Sequence, residues 1–420
     1  MSPLKIGIAG LGTVGAGVVC LLQQNAALIE ARSGRPLAIA AVSARDRTRD
    51  RGLKLKGIAW HDDPQSMIAS CDVIVELIGG AEGPARALVE AALAAGRPVV
   101  TANKALLALH GARLAASPTP LAFEAAVAGG IPAIKTLREG LAANQVTRIA
   151  GILNGTCNYI LTTMREEGRD FAAVLADAQA LGYAEADPAF DIDGVDTAHK
   201  LAILAALAFG HPVDFASIPI EGIRHVSALD IAFATELGYR IKLLGLAEQG
   251  PTGIRLRVHP AMVPASSLLA SVEGVFNAVL FQGNAAGPIF LQGRGAGAGP
   301  TASAVVADLI DLARGHHLPV WGQAALAPAR ALPLAQHEGA YFLRLMVVDQ
   351  PGVLADITSA LRDHGISLAS MLQHGRKPGE AVPIVLVTHE CTEAAIAAAL
   401  AVIGRQPAVL EHPTLIRIEP

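Results

Sequence analysis

Short apolar runs alternate with longer stretches of helical periodicity over the first 130 or so residues. The runs at 4–9, 37–42, 73–77, 98–101 and 121–124 read as strands. Between them apolar positions recur every three to four residues, which predicts helices such as 14–30 and 85–95. Strands apolar along their whole length and separated by helices predict a parallel sheet covered on both faces. From about residue 134 the pattern changes. Strand-like runs at 254–258, 278–282 and 287–293 mix with helices such as 196–209 and 302–314, predicting a second, α+β domain. Residues 318–339, rich in Pro, Ala and Gln, read as a linker. The remaining chain gives strand 341–348, helix 352–364, strands 366–373 and 382–388, helix 392–404 and strand 408–418. That βαββαβ order is ferredoxin-like. The expected division is a doubly wound α/β domain over 1–133, an α+β domain over 134–317, the linker 318–339 and the module 340–420.

Composition narrows the class. With 52% hydrophobic and 17% charged residues among 420, the chain is globular rather than disordered. A net charge of −4 argues against a general nucleic-acid surface. Four scattered cysteines give neither a zinc motif nor a disulfide framework and fit a reducing compartment. No apolar stretch reaches the roughly 18 residues of a membrane span, and the N-terminus lacks a secretory pattern. A soluble, cytoplasmic protein is expected, with neither nucleic acid nor membrane as partner.

The first strand runs into Gly10-Leu11-Gly12-Thr13-Val14-Gly15, which opens a helix. Gly10, Gly12 and Gly15 permit a tight turn and close approach of a pyrophosphate. Thr13 and Val14 begin a helix whose free N–H groups favour an anion. This position marks a dinucleotide-binding Rossmann domain rather than an ordinary glycine-rich turn. The second strand ends in Ser43-Ala44-Arg45-Asp46-Arg47-Thr48-Arg49. An NAD site usually puts an acid at the strand tip. A basic loop suits a 2′-phosphate, so NADP is expected, with Arg45 as contact and NAD as the alternative. The arginines could equally form a solvated loop face, and Asp46 could face the ribose.

Five acids fall within twelve residues from Glu185 to Asp196, and Lys200 follows in an apolar helix. Asp196 and Lys200, at i and i+4, share a helix face. Carboxylates around a lysine suit an amino-acid substrate: they bind its ammonium, while a lysine binds its carboxylate or exchanges a proton with its oxygen. A divalent-cation loop and a plain surface ion pair account for the spacing equally well.

Here the chain resembles the homoserine dehydrogenase family. Residues 178–200 satisfy its signature without a gap: Ala178, Gly182-Tyr183-Ala184, Asp187-Pro188, Asp191-Ile192, Gly194, Asp196 and Lys200. The resemblance covers essentially the whole chain. It implies that Glu185 and Asp191 bind the substrate ammonium, with Tyr183 beside them. Asp196 binds polar groups of the substrate and orients a lysine, and Lys200 lies near the reacting oxygen. Thr101-Ala102-Asn103-Lys104 matches the family's Thr-Ala-Asn-Lys and makes Lys104 a second active-site lysine next to the cofactor. Lys104 is favoured as the acid–base group, with Lys200 and Asp196 as partners, although sequence does not decide between the lysines. Asn154-Gly155-Thr156-Cys157 matches a substrate-side turn in which Gly155 and Thr156 touch substrate. An N-cap by Thr156 is the structural alternative, and Cys157 reads as a core residue. The family places Thr101 and the Glu76–Gly80 segment, including Gly79, on the nicotinamide side. Gly297 precedes the helix 302–314, which returns to the nucleotide domain. Arg294 stands where the family carries proline. Glu124, with the carbonyls of Val127, Gly129 and Ile131, matches a loop for a structural monovalent cation, Na⁺ or K⁺; the alternative is a plain interdomain hinge.

Arg344–Ile357, with Asp349-Gln350-Pro351-Gly352, resembles the start of an ACT domain. This implies feedback regulation by an amino acid, in this family threonine; a dimerisation module without ligand is the alternative. The implied reaction is the reversible NAD(P)-dependent interconversion of L-homoserine and L-aspartate 4-semialdehyde, in threonine, methionine and isoleucine biosynthesis. The implied assembly is a homodimer or homotetramer. A hydroxy-acid dehydrogenase with an ACT tail and a non-catalytic amino-acid sensor are the competing readings. The first does not explain the spacing from Glu185 to Lys200, and the second would bind substrate without turnover.

Overall fold

The structure, a computed structural model, describes residues 2–375 and 378–419. Two sheets organise it. The first holds six parallel strands, β1 (Leu4–Ala9), β2 (Leu37–Ser43), β3 (Ala59–Trp60), β4 (Val73–Glu76), β5 (Val99–Thr101) and β6 (Leu121–Ala122), in the order β3-β2-β1-β4-β5-β6. Helices α1 (Thr13–Gln24), α2 (Ala26–Ser33), α3 (Pro84–Ala94) and α4 (Lys104–Leu114) connect these strands. Ile6, Ile8, Ile74 and Val75 are completely buried, as a strand covered on both faces requires. The order reverses between β1 and β4, and ligands bind such sheets at the carboxyl ends of the strands beside that reversal.

The expected doubly wound sheet is therefore present, with local differences. Helix 14–30 is two helices: Asn25 leaves helical geometry, and the chain turns by 81° there. Strand β3 escaped notice because two residues carry no periodicity. Strand β6 stops at Ala122, where the chain turns into the loop that begins at Glu124.

After α5 (Ala133–Lys135) and a π-helical turn (Thr136–Gly140) comes the second sheet. Its strands are β7 (Val146–Ile152), β8 (Tyr239–Gly250), β9 (Gly253–Pro264), β10 (Phe276–Gly283), β11 (Gly287–Arg294), β12 (Glu338–Val348), β13 (Leu368–Gln373), β14 (Ala381–Thr388), the short β15 (Cys391–Thr392) and β16 (Thr414–Ile418). They run β11-β10-β7-β8-β9-β16-β12-β14-β13, with β15 on the start of β12. Helices α6 (Gly155–Glu167), α7 (Phe171–Ala180), α8 (Ala189–Ile192), α9 (Val195–Phe209) and α10 (Ala228–Glu236) belong to the central region. Helix α11 (Ala298–Ala313) returns to the first sheet, where Ala302, Val305 and Leu309 join the core beside α1. It begins four residues earlier than expected because Pro300 is tolerated in a first turn. Helices α12 (Val353–Asp363) and α13 (Glu393–Ile403) cover the C-terminal strands.

The C-terminal module has the expected βαββαβ order, but its sheet is continuous with the central one. Strand β16 lies between β12, antiparallel, and β9, parallel through Arg417↔Ala261 and Ile418↔Met262. The strand expected over 408–418 begins only at Thr414, after Pro413. The seam is charged. Arg417, 3% exposed, binds both Glu221 and Glu393, and Arg257 binds Glu248 and Glu419. Among the described residues no single helix is long and apolar enough to cross a membrane.

Candidate active site

Helix α9 starts after Gly194, whose φ of +86° is left-handed and favours glycine. This start puts Asp196 in the first turn and Lys200 one turn later, both buried. Lys200 Nζ donates to Asp196 Oδ2 at 2.7 Å and to the Leu153 carbonyl at 2.6 Å. Leu153 follows β7, and Asn154 caps α6 by accepting the Cys157 N–H at 2.8 Å. The Asn154 amide donates to Asp191 Oδ1 at 2.8 Å and to Asp196 Oδ2 at 2.9 Å. Asn154 is thus the hub that fixes both carboxylates. Its place in the Asn154–Cys157 turn gives no sequence signal for this side-chain role. Nor is Thr156 the cap: it sits inside the first turn, and its hydroxyl donates to the Tyr183 carbonyl at 2.7 Å. Cys157 is buried, and its thiol donates to the Asp191 carbonyl, as fits a core residue.

Lys104 arrives from the other sheet. It is the first residue of α4, just past the carboxyl end of β5, and Asn103 caps the helix through the Leu106 N–H. Its Nζ lies 2.9 Å from Asp196 Oδ1. Asp196 therefore takes one lysine on each oxygen. The Lys104 ammonium also lies 5.6 Å above the Phe190 ring, which is backed by His199. The Phe190 contact had no sequence signal beyond its place within the signature.

The two lysines are electrically different. Burial opposes the charge of Lys104, but the carboxylates of Asp196, Asp191 and Glu185 outweigh it and raise its pKa. Burial dominates at Lys200; the facing Asp196 opposes it, the Lys104 ammonium reinforces it, and the pKa falls below the usual lysine range. At Asp196 burial is outweighed by the two ammonium groups, which hold its carboxyl well below the usual range. Asp191 is pushed up by burial and by Asp196. Lys104 keeps a side-chain exposure of 33% against 10% for Lys200, so Lys104 is the lysine open to the cleft. Glu185 and Tyr183 lie exposed on the segment before α8.

A buried network sets the position of Lys104. Glu76, fully buried at the end of β4, accepts the N–H groups of Ile78 and Gly79 and the Thr101 hydroxyl, the last at 2.6 Å. That hydroxyl accepts the Asn103 N–H at 3.0 Å, and the Asn103 amide donates to the Gly80 carbonyl. The Glu76 and Thr101 side chains thus bond to each other and to the neighbouring backbone, and hold the loop. Gly79, exposed with φ +82°, remains at the cleft.

The glycine turn has room for a dinucleotide. Gly10 has φ +99°, and a Cβ there would meet the Leu77 carbonyl oxygen at 2.4 Å; one on Gly15 would strike the Gly10 carbonyl oxygen. A Cβ on Gly12, which caps α1, would meet nothing within 4 Å, so this residue faces open space. Gly10, Gly12, Leu77 and Ile78 line a cavity of about 420 Å³ together with Arg45, Arg49 and Arg51. Asp46 Oδ1 accepts the Thr48 N–H and hydroxyl and the Arg49 N–H, so it is committed to its own loop. Arg51, which carries no motif signal, donates to the Leu11 carbonyl, and its guanidinium, like that of Arg47, lies 5.9 Å from the Trp60 ring centre.

Loop 124–131 joins the sheets. Glu124, 2% exposed, accepts the N–H groups of Ile134 and Lys135, and its own N–H donates to Asp308. Burial and Asp308 push its carboxyl up to about 7. Ala128 at φ 55° and Gly129 at φ 54° turn the backbone through two left-handed residues. The Ile131 carbonyl already accepts the Ala133 N–H. Glu124 and the carbonyls of Val127, Gly129 and Ile131 lie on one loop, and oxygen donors of this kind suit a hard cation. Across this loop, a Cβ on Gly129 would meet the Gly295 carbonyl oxygen at 2.4 Å, and Gly297, φ +114°, caps α11. The Arg294 guanidinium lies 6.0 Å from the Phe276 ring.

Comparison with known proteins places this geometry. The profile described as "Homoserine dehydrogenase" matches residues 132–310, its "NAD binding domain" profile matches 10–118, and the "ACT domain" profile matches 341–407. A homoserine dehydrogenase of Pseudomonas aeruginosa is 45% identical, covering 100% of this chain and 99% of its own. The crystal structure of a homoserine dehydrogenase from Thiobacillus denitrificans superposes with a TM-score of 0.94 at 46% identity, covering 99% of this chain and 98% of that one. A hyperthermophilic archaeal homoserine dehydrogenase in complex with NADPH matches with a TM-score of 0.63 at 28% identity, over 74% of this chain and 97% of that one.

Proposed function

This chain belongs to the homoserine dehydrogenase family, and from that premise we propose that it interconverts L-homoserine and L-aspartate 4-semialdehyde with Lys104 as the acid–base group and NADP as the preferred dinucleotide. The observation that carries this reading is the pair of lysines on one buried carboxylate, Asp196, at the carboxyl edge of the nucleotide-binding sheet.

When bound, the nicotinamide exchanges a hydride with the carbon that bears the substrate oxygen. The residues of this chain do the rest. Gly10, Gly12, Thr13, Val14 and Gly15 cradle the pyrophosphate at the α1 N-terminus. Gly79, Gly297 and Lys104 border the nicotinamide end. Arg45, with Arg49 and Arg51 on the same cavity wall, receives the 2′-phosphate. The cluster of Arg45, Arg49 and Arg51 around this cavity supports NADP over NAD.

Glu185 and Asp191 bind the substrate ammonium, and the Gly155–Thr156 turn and Tyr183 close the same side. Orientation of this kind removes a large entropic part of the barrier. In reduction the Lys104 ammonium gives its proton to the oxygen; in oxidation the neutral amine takes it back. Lys200, the less exposed lysine, stabilises the developing alkoxide through its fixed charge, and Asp196 holds both ammonium groups in place. Glu124 with Val127, Gly129 and Ile131 would hold a structural Na⁺ or K⁺. In the ACT module, amino-acid feedback, with threonine as effector, is read at the Asp349–Gly352 turn, where Gly352 has φ +96° at the start of α12. The assembly is a homodimer or homotetramer.

The test is absorbance at the reduced-nicotinamide band with L-homoserine and either NADP⁺ or NAD⁺. Homoserine-dependent reduction that is faster with NADP⁺ is expected. A folded protein that binds dinucleotide without turnover would sink the catalytic reading.

A further inference from the structure

The connection between α11 and β12 touches both helices that carry the catalytic side chains. Trp321 is buried, and its ring lies against α4. A Cβ on Gly111 would come within 2.7 Å of it. Phe123, just before the Glu124 loop, holds the same ring from another side at 5.4 Å between centroids. Two residues on, the Gln323 amide occupies the space that a Cβ on Gly210 would need, at 2.2 Å. Gly210 ends α9 in the left-handed region, and its carbonyl accepts the Ala327 N–H at 3.0 Å. The connection then pairs with β9, where Ile254 donates to Arg330 and accepts from Leu332, and runs on into β12.

Gly111 lies two helical turns from Lys104, about 10 Å along α4, and Gly210 lies about 21 Å from Asp196 along α9. The two helices pack against each other. A segment seated on both, away from the cleft, fixes their relative register. That register sets the distance between Lys104 and Asp196.

We propose that residues 321–327 clamp α4 against α9, and that Trp321, seated on Gly111, is the positioning residue that keeps Lys104 in reach of Asp196. The clamp gives the C-terminal module a mechanical route to the catalytic lysine, since the same segment leads into β12. The proposal rests on the reading of Lys104 and Asp196 as catalytic.

The experiment compares Trp321→Ala, Trp321→Phe and Gly111→Ala in the full chain. Alanine is the better helix former, so Gly111→Ala keeps α4 helical while displacing the ring. The titratable groups that face Lys104 are Asp196, His199 and Lys200 from α9, Asp191 from α8 and Glu185. When Lys104 moves from Asp196, the influence that raises its pKa weakens. The alkaline limb of the reductive pH profile should then move to lower pH. Both Trp321→Ala and Gly111→Ala should lower kcat about 10–100-fold at an unchanged KM for the dinucleotide, and Trp321→Phe should largely restore it. Unchanged kcat in Gly111→Ala, or a loss of kcat with an unmoved limb, overturns the clamp. Lys104→Ala separates the two readings. If it kills turnover while Gly111→Ala does nothing, the clamp alone fails; if it leaves turnover intact, the catalytic reading fails first.

Discussion

The ammonium of Lys104 lies 2.9 Å from Oδ1 of Asp196, although Lys104 opens a helix of the first sheet and Asp196 one packed on the second. The site therefore exists only where the two sheets meet.

Replacing Lys104 by Ala removes the group open to the cleft. Turnover should fall by about 10²–10⁴, the usual worth of a general acid or base, with dinucleotide KM within about twofold of wild type. Lys104→Arg should not recover it, because guanidinium does not release a proton in this range. Steady-state kinetics in both directions decides; a drop confined to KM would reassign Lys104 to binding.

The raised pKa of Lys104 fixes the sign of the pH dependence. Its ammonium form persists above the usual lysine range, so reduction should hold its rate into alkaline solution. Oxidation needs the neutral amine and should climb with pH. Asp196→Asn removes the chief counter-charge, and the alkaline limb of reduction should shift toward neutrality. An unshifted limb would mean that another group titrates there.

Arg45, Arg49 and Arg51 share one cavity wall. Arg45→Ala should raise KM for NADP⁺ about 10-fold or more and leave NAD⁺ kinetics nearly unchanged, since charge-assisted hydrogen bonds contribute about 1.5–3 kcal/mol. Equal effects on both dinucleotides would assign Arg45 to the shared part of the molecule.

Glu124 and Asp308 are two buried carboxyls beside one loop. At pH 8 and fixed ionic strength, replacing a bulky organic cation by Na⁺ or K⁺ should raise Tm by roughly 1–3 °C, about 1–3 kcal/mol for a chain of this size. The rise should vanish in Glu124→Gln. If Tm is the same with all three cations, the loop is a hinge only.

Arg417 is buried between Glu221 and Glu393 at the seam of the C-terminal module. Removing one partner of a buried charge network leaves the others unpaired, which costs about 3–5 kcal/mol. Arg417→Ala should lower the denaturant midpoint of the whole second sheet and not merely release the module. A separate early transition for the module would contradict the continuous sheet.

Elements with strong local signals were legible in the sequence. The glycine turn after β1, the pair Asp196 and Lys200, and the βαββαβ order each repeat over a few residues. Family likeness then brought Lys104 to the site, which spacing alone would have left as a surface lysine. What stayed hidden has a common cause. Asn154, Trp321 and β16 act through partners 37 or more residues away in sequence, and no periodicity reports such partners. The two-residue strand β3 is too short for any pattern. Thr101 and Glu76 show the same limit: they bond across 25 residues, and neither position announces that partner.

The interposed β16 also bears on how the chain is assembled. It is made after every other strand of its sheet, yet it takes an interior place between β9 and β12. Until it arrives, β12 presents an unpaired edge over Ala340–Arg344 and β9 one at Ala261 and Met262, whereas Ile254 and Val258 of β9 are already paired with 330–332 and 219–221. A nascent or truncated chain is thus sticky along these edges, and closing that of β9 joins residues more than 150 positions apart. Such pairing is slow, because the loop must close before the contact rewards it. Removal of the final strand should therefore be read out first as aggregation during synthesis, ahead of any change in regulation.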